Sequence, residues 1–339
     1  MYVTDQRKTE RSVFMRSLSY SHLRPAAEEA LELSCFSPKR LVLLHTGVSL
    51  IVGLIISILT YVLDMGIAQT GGLSGMDSRA MLQSMQSFLT IASTILLPFW
   101  EVGYLFAALQ FARRKHPQTG ALFAGFRHWG VVLRGMILQG ILLFAVVFVG
   151  AQIVSTIYFM TPASAELQAL TLELAENGAD SLTMMENEQY FALILKAMPF
   201  LLIGVGLLLL PTLYLLRFTN YVIMDHPEMG ARYAVATSIR MTWRNFGAIF
   251  KLDLRFVWYY LLEVLVAVIG IGYVILELMG VDIGIGGDTA VFVFYLLSLA
   301  AQLGLYVWMK NIVSTTYALA YDELFRSVMP PALKELPPM

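Results

Sequence analysis

A chain of 339 residues that is 58% hydrophobic and only 14% charged lies far from soluble domains, which sit at roughly 45–50% apolar and about 25% charged. Its mean hydropathy of +0.68 collects in uninterrupted runs, several of them reaching the roughly 20 residues that cross about 30 Å of hydrocarbon; a soluble domain is excluded, and the lipid bilayer is the first partner expected. The net charge of −1 gives no basis for nucleic-acid binding, and one cysteine, Cys35, excludes an internal disulfide or a thiolate metal cluster.

Residues 1–40 are polar and carry Arg7, Lys8, Arg11, Arg16, Arg24, Lys39 and Arg40. No apolar core begins before Leu41, so this stretch reads as a retained cytoplasmic extension and not a cleaved signal. Within it PAAEEALEL, 25–33, is built of strong helix formers. The first span is 41–63, about 34 Å as a helix, with Ser49, Gly53 and Ser57 forming a small-residue face for a neighbouring helix. A polar loop, 64–83, leads to the second span near 86–111, which contains Pro98 and Glu101. A basic connector, 112–130, leads to the third span near 131–160. The loop 161–190 then carries Glu166, Glu173, Glu176, Asp180, Glu186 and Glu188 with no Lys or Arg.

The chain is organised around two apolar runs, 191–224 and 254–278, joined by a basic amphipathic connector. The far loop, 279–289, holds Asp282 and Asp288 among four glycines, and a sixth span runs from about 290 to 308, its helix continuing toward Phe325. The tail, 329–339, is proline-rich. Basic residues crowd the N-terminus, 113–134 and 232–255, whereas the other loops are acidic apart from Arg79. The positive-inside rule then puts both termini in the cytoplasm. The expected fold is an all-α polytopic membrane protein, six transmembrane helices over 41–328 with amphipathic cytoplasmic connectors.

In the central connector, Asp225-His226-Pro227-Glu228 suits a capped helix start. At about 100° per residue, Val235, Ile239, Trp243, Phe246, Ile249 and Phe250 share one arc, and Arg240, Arg244 and Lys251 another, with Arg232 at the border. That is the pattern of a helix lying in the headgroup layer, its basic flank toward anionic lipid or a membrane protein partner. The second span and its connector are echoed by the fourth: Leu96-Leu97-Pro98 by Leu209-Leu210-Pro211, and His116-Pro117 by His226-Pro227. A duplication of that kind would be parallel.

Charges inside spans cost a few kcal/mol unless paired or hydrated. Glu101, Arg217 and Glu263 are the intramembrane candidates, and the expectation is that Arg217 pairs with Glu263 or Glu101, as a lock between helices or as part of a polar path. Signals for an enzyme are poor. Gly72-Leu73-Ser74-Gly75 matches the G-x-S-G of rhomboid-type proteases but falls in a loop with no histidine base placed to serve it. Ile285-Gly286-Gly287-Asp288 narrowly misses the G-x-G-D of intramembrane aspartyl proteases. The five histidines show no metal-ligand spacing, so no catalytic residue, metal or cofactor is expected. Trp100, Trp129, Trp258 and Trp308 read as packing or interface anchors.

Three segments carry a family resemblance. Asn220-Tyr221-Val222-Ile223-Met224-Asp225-His226-Pro227-Glu228-Met229-Gly230-Ala231 resembles a D-x-P-x-x-x-A turn, followed by Ser238 and Met241. Phe250-Lys251-Leu252-Asp253-Leu254-Arg255-Phe256 resembles F-x-L-D-L-x-F, and Thr316-Tyr317-Ala318-Leu319-Ala320-Tyr321-Asp322-Glu323-Leu324 a closing A-T-Y-A-x-x-Y-x-x-L. Together they are similar to a family of uncharacterised integral membrane proteins of Gram-positive bacteria, distantly like the membrane domain attached to some glycerophosphodiester phosphodiesterases. The resemblance implies a bacterial plasma-membrane address and no catalytic residues. Two functions stay open: a non-enzymatic membrane component docking lipid or protein through its basic connectors, or a small-solute or ion transporter using Glu101, Arg217 and Glu263.

Overall fold

The computed structural model describes residues 22–34, 37–69, 76–161, 163–176, 188–272, 276 and 287–328. The residues before His22, the Gly-Leu-Ser-Gly sequence at 72–75, the Gly-rich stretch up to Gly286 and the proline-rich tail lie outside them. The described residues are helical and connected by short turns. In order they are α1 (Leu23–Glu32), α2 (Pro38–Gln69), α3 (Met76–Ala112), a 3-10 turn (Thr119–Phe123), α4 (Ala124–Arg127), α5 (Trp129–Phe159), α6 (Ala163–Glu176), α7 (Glu188–Leu216) and α8 (Thr219–Asp225). A 3-10 turn (Pro227–Met229) then leads to α9 (Gly230–Arg244), α10 (Phe246–Arg255), α11 (Val257–Gly270), α12 (Gly287–Leu305), a π-helical turn (Tyr306–Lys310) and α13 (Asn311–Val328).

Five stretches are long and apolar enough to cross a membrane: Pro38–Leu63, Ala80–Ala112, Trp129–Phe159, Gln189–Asp225 and Ala290–Ser327. Their outward faces carry exposed side chains such as Phe144, Leu202, Ile203, Leu207 and Leu210, an apolar surface far beyond what a soluble monomer presents. The run expected over 254–278 is instead broken. Phe256, fully buried, turns the chain between α10 and α11, and α11 is 14 residues long, about 21 Å.

The largest core gathers at one end of the bundle, where Leu109 of α3, Val132 of α5, Val222 of α8, Met241 of α9, Ile249 of α10 and Tyr321 of α13 are buried together. A second cluster, including Leu31, Leu41, Trp100, Tyr104 and Leu122, seats α1 and α2 on α3. The turn after α3 presses so close that a Cβ on Gly103 would lie 1.8 Å from the Leu122 carbonyl oxygen. Glycine is obligatory there.

Several expectations change. The described residues of the loops expected at 64–83 and 161–190 are almost all helical, since α2 runs to Gln69, α3 begins at Met76, and α6 occupies Ala163–Glu176. The face of Ser49, Gly53 and Ser57 is no packing seam: Ser57 is exposed, nothing lies within 4 Å of a Cβ built on Gly53, and Ser49 Oγ bonds back to the His45 carbonyl. Close approach occurs instead between α5 and α7, where Val154 would lie 2.6 Å from a Cβ on Gly204. Trp100 is buried and donates to the His45 carbonyl at 2.9 Å, whereas Trp129, Trp258 and Trp308 are exposed.

The expected capped helix start at Asp225 does not form. Asp225 ends α8, its carboxylate is taken by Arg113, and α9 starts only at Gly230, whose φ of 79° suits glycine. The connector is also two helices. Its break falls at Asn245 and not at Gly247. Val235 and Ile249 point into the core, while Trp243, Phe246 and Phe250 are exposed.

Candidate functional site: a charged, tyrosine-lined cavity

The backbone is interrupted on both sides of the site. α7 stops at Leu216 and α8 starts at Thr219, so the helix ladder is lost at Arg217 and Phe218. Ser238 of α9 repairs the gap: its hydroxyl donates to the Leu215 carbonyl at 2.8 Å and accepts from the Phe218 N–H at 3.2 Å. Facing it, the chain from α12 to α13 widens into the π turn at Tyr306–Lys310. Freed or re-registered backbone of this kind is tolerated deep in a bundle only where protein or water satisfies it, and π turns concentrate at functional sites.

Between these irregularities lies a cavity of about 400 Å³, within the roughly 300–1,000 Å³ of small-ligand sites. Glu101, Arg217, Glu263 and Lys310 all line it, together with Tyr221, Tyr259, Tyr260, Tyr306 and Tyr317. The three charged residues singled out in the sequence therefore share one chamber. Their pairing differs from the expectation. Arg217 binds Asp253 through Nη1 at 2.7 and 2.9 Å, with its guanidinium 4.3 Å from the centre of the Tyr317 ring and 5.0 Å from that of Tyr214. Tyr317 also donates a short hydrogen bond to Asp253 and meets the Tyr260 hydroxyl at 2.7 Å.

Glu101 is held by Lys310, whose Nζ donates at 3.2 Å and lies over the rings of Tyr104 and Tyr306. His45 approaches the same carboxylate from α2, its Nε2 at 3.1 Å but off the hydrogen-bond line. The imidazole stacks against Trp100 and packs on Tyr104, whose hydroxyl donates to Asn311 at 2.9 Å. Glu263 accepts from Tyr259 at 2.7 Å. Of the polar residues read as interhelical glue, Gln302 donates to Tyr306 at 3.1 Å and Gln139 to Asn220 at 3.4 Å.

A second polar cluster clamps the end of the bundle. Arg113, at the end of α3, donates to both oxygens of Asp225 at 2.6 and 2.7 Å and to both of Asp322 at 2.7 and 3.2 Å. Tyr321 adds a bond to Asp225 at 3.0 Å. Burial opposes the guanidinium charge, but the hydrogen bonds it donates to Asp225 and Asp322, with their negative charge, outweigh it and raise the Arg113 pKa further. Three segments, 220–231, 250–256 and 316–324, meet in these two networks. Asp225 comes from the first, Asp253 from the second, and Tyr317 and Tyr321 from the third.

Arg232, Arg240, Arg244 and Lys251 stay on the surface, away from the cavity. Lys310, His45 and the tyrosine lining were missed in the sequence because each lies in an otherwise apolar helix. A lysine twenty residues into a hydrophobic run was the available signal for Lys310. Among the described residues, no group of three His, Cys, Asp or Glu side chains is arranged to hold a metal ion.

No protein-family model, curated protein or solved structure matches this chain.

Proposed function

We propose that the protein is a six-pass, non-enzymatic membrane protein that binds a small polar solute in the tyrosine-lined cavity and passes it across the bilayer. The observation that carries this reading is the convergence of Glu101, Arg217 and Glu263 on one cavity, beside a helix break and a π turn. Intramembrane charges gathered around a chamber between discontinuous helices are the usual ground plan of a solute pathway.

The even number of crossings is supported by parity. Arg113 ties together the ends of three long helices, at Ala112, Asp225 and Asp322. The chain thus leaves the bundle at Asp225 and comes back to the same end at Asp322. Since Ala290–Ser327 crosses once, residues 226–289 must cross once too, and Val257–Gly270, packed on α12, is the apolar helix available. Cations on 113–134 and 232–255 assign that end, and both termini, to the cytoplasm.

The test is flux into proteoliposomes carrying the purified chain, over radiolabelled amines, carboxylates and neutral polyols. Uptake of at least one class above empty vesicles is expected, with Glu101→Gln and Glu263→Gln each lowering it about tenfold or more, as loss of a charged contact requires. Rates equal to empty vesicles for every class would remove the transport reading. A second reading, docking of anionic lipid or a membrane protein partner, draws on the exposed Trp243, Phe246 and Phe250 beside Arg240, Arg244 and Lys251.

A further inference from the structure

Two carboxylates, Glu101 and Glu263, line the chamber, and another, Asp253, binds its lining residue Arg217; two of the three hold a cation of the chain in the same way. Glu101 meets Lys310 Nζ at 3.2 Å while that ammonium lies 4.9 Å from the ring centre of Tyr104 and 4.7 Å from that of Tyr306. Asp253 meets Arg217 at 2.7 Å while the guanidinium lies 4.3 Å from the ring centre of Tyr317. Each cation is thus clasped between a carboxylate and a tyrosine face, the arrangement that stabilises ammonium groups in aromatic cages. The third carboxylate, Glu263, breaks the pattern. It accepts the Tyr259 hydroxyl at 2.7 Å, and among the described residues no cationic side chain lies within ion-pair distance of it. Tyr259 and Tyr260 pack edge to face beside it, ring centres 5.5 Å apart, and both line the chamber.

We infer that the solute is a small organic cation, an alkylammonium, seated between the Glu263 carboxylate and the rings of Tyr259 and Tyr260. This rests on the cavity being the solute site and adds its chemical class. The sign of the charge decides the class. With Lys310 matched to Glu101 and Arg217 to Asp253 beside the chamber, Glu263 leaves the network of these five side chains one negative charge in excess, costly at membrane depth until a cation meets it. An anion would add a second uncompensated charge, and a neutral solute would leave the first in place. Tyrosine faces supply the remaining attraction without hydrogen-bond geometry, which suits a methylated ammonium.

The experiment is calorimetric titration of the full-length chain in detergent with tetramethylammonium chloride and methylammonium chloride, against sodium acetate and mannitol. Ammonium binding is expected in the wild type. Glu263→Gln should weaken it roughly tenfold or more, the loss of one charge-assisted contact. Lys310→Gln, which leaves Glu101 without its lysine, should tighten it, and this opposite sign separates charge matching from damage to the fold. Equal ammonium binding in wild type and Glu263→Gln, or none in the folded wild type, overturns the assignment. Acetate or mannitol binding in its place also overturns the cation class while leaving a solute site intact. Ammonium that binds but is not moved into proteoliposomes upholds the cation site and removes transport alone.

Discussion

At the scale of single residues, the charges inside this bundle are organised as clasps. Arg113 is the clearest: its planar fork serves Asp225 and Asp322 together, a geometry no lysine reproduces. Asp225 is almost fully buried, with 5% of its side chain exposed. Arg113→Gln would strand that carboxylate, at a cost of about 3–5 kcal/mol for an uncompensated buried charge. Thermal unfolding in detergent should therefore show a large drop for Arg113→Gln and a partial recovery when Asp225→Asn is added. Additive losses in the double variant would mean that the two side chains do not share an energy. Sequence reasoning found the suspicious residues but paired them wrongly. Arg217 was expected to pair with Glu263 or Glu101, whereas its partner Asp253 sits at the end of the connector, brought close because Phe256 turns the chain there. Which apolar runs carry a charge was legible; the rotation of one helix against another was not.

At the scale of elements, the connector shows how a helical wheel divides between two surroundings. The apolar arc at about 100° per residue is real, yet the break at Asn245 rotates its second half. Ile249 and Leu252 turn into the core, while Trp243, Phe246 and Phe250 point outward beside Arg240, Arg244 and Lys251. Exposed aromatics next to cations are what an interfacial helix needs to sit at the headgroup level. Each basic residue near an anionic surface contributes about 1 kcal/mol, so Arg240→Ala plus Arg244→Ala should lower the share of anionic lipid retained by the purified chain several-fold, read by lipid mass spectrometry. An unchanged share would show that these arginines do not hold lipid. The helix break at Arg217 and the π turn at Tyr306–Lys310 had no signature in periodicity, because the runs on either side of each are apolar and only the single charges Arg217 and Lys310 mark the irregularity.

At the scale of the whole molecule, composition and runs of apolar residues were enough to place five spanning-length helices and the helix at Leu23–Glu32. The remaining apolar run was harder to read because one helix ends at Arg255 and the next begins at Val257 inside it. Passage of a solute has one central requirement: a chamber reached by water, between helices whose outer faces meet lipid. Ser314 lines that chamber, and Val264, 60% exposed, faces outward from α11. The sequence holds a single cysteine, Cys35, so a cysteine-free background needs only Cys35→Ser. The most direct measurement is labelling of Ser314→Cys and Val264→Cys in that background, in native membranes, with a charged water-soluble thiol reagent. Modification is expected at position 314 and none at 264. A silent position 314 beside a reactive 264 would contradict a chamber reached by water.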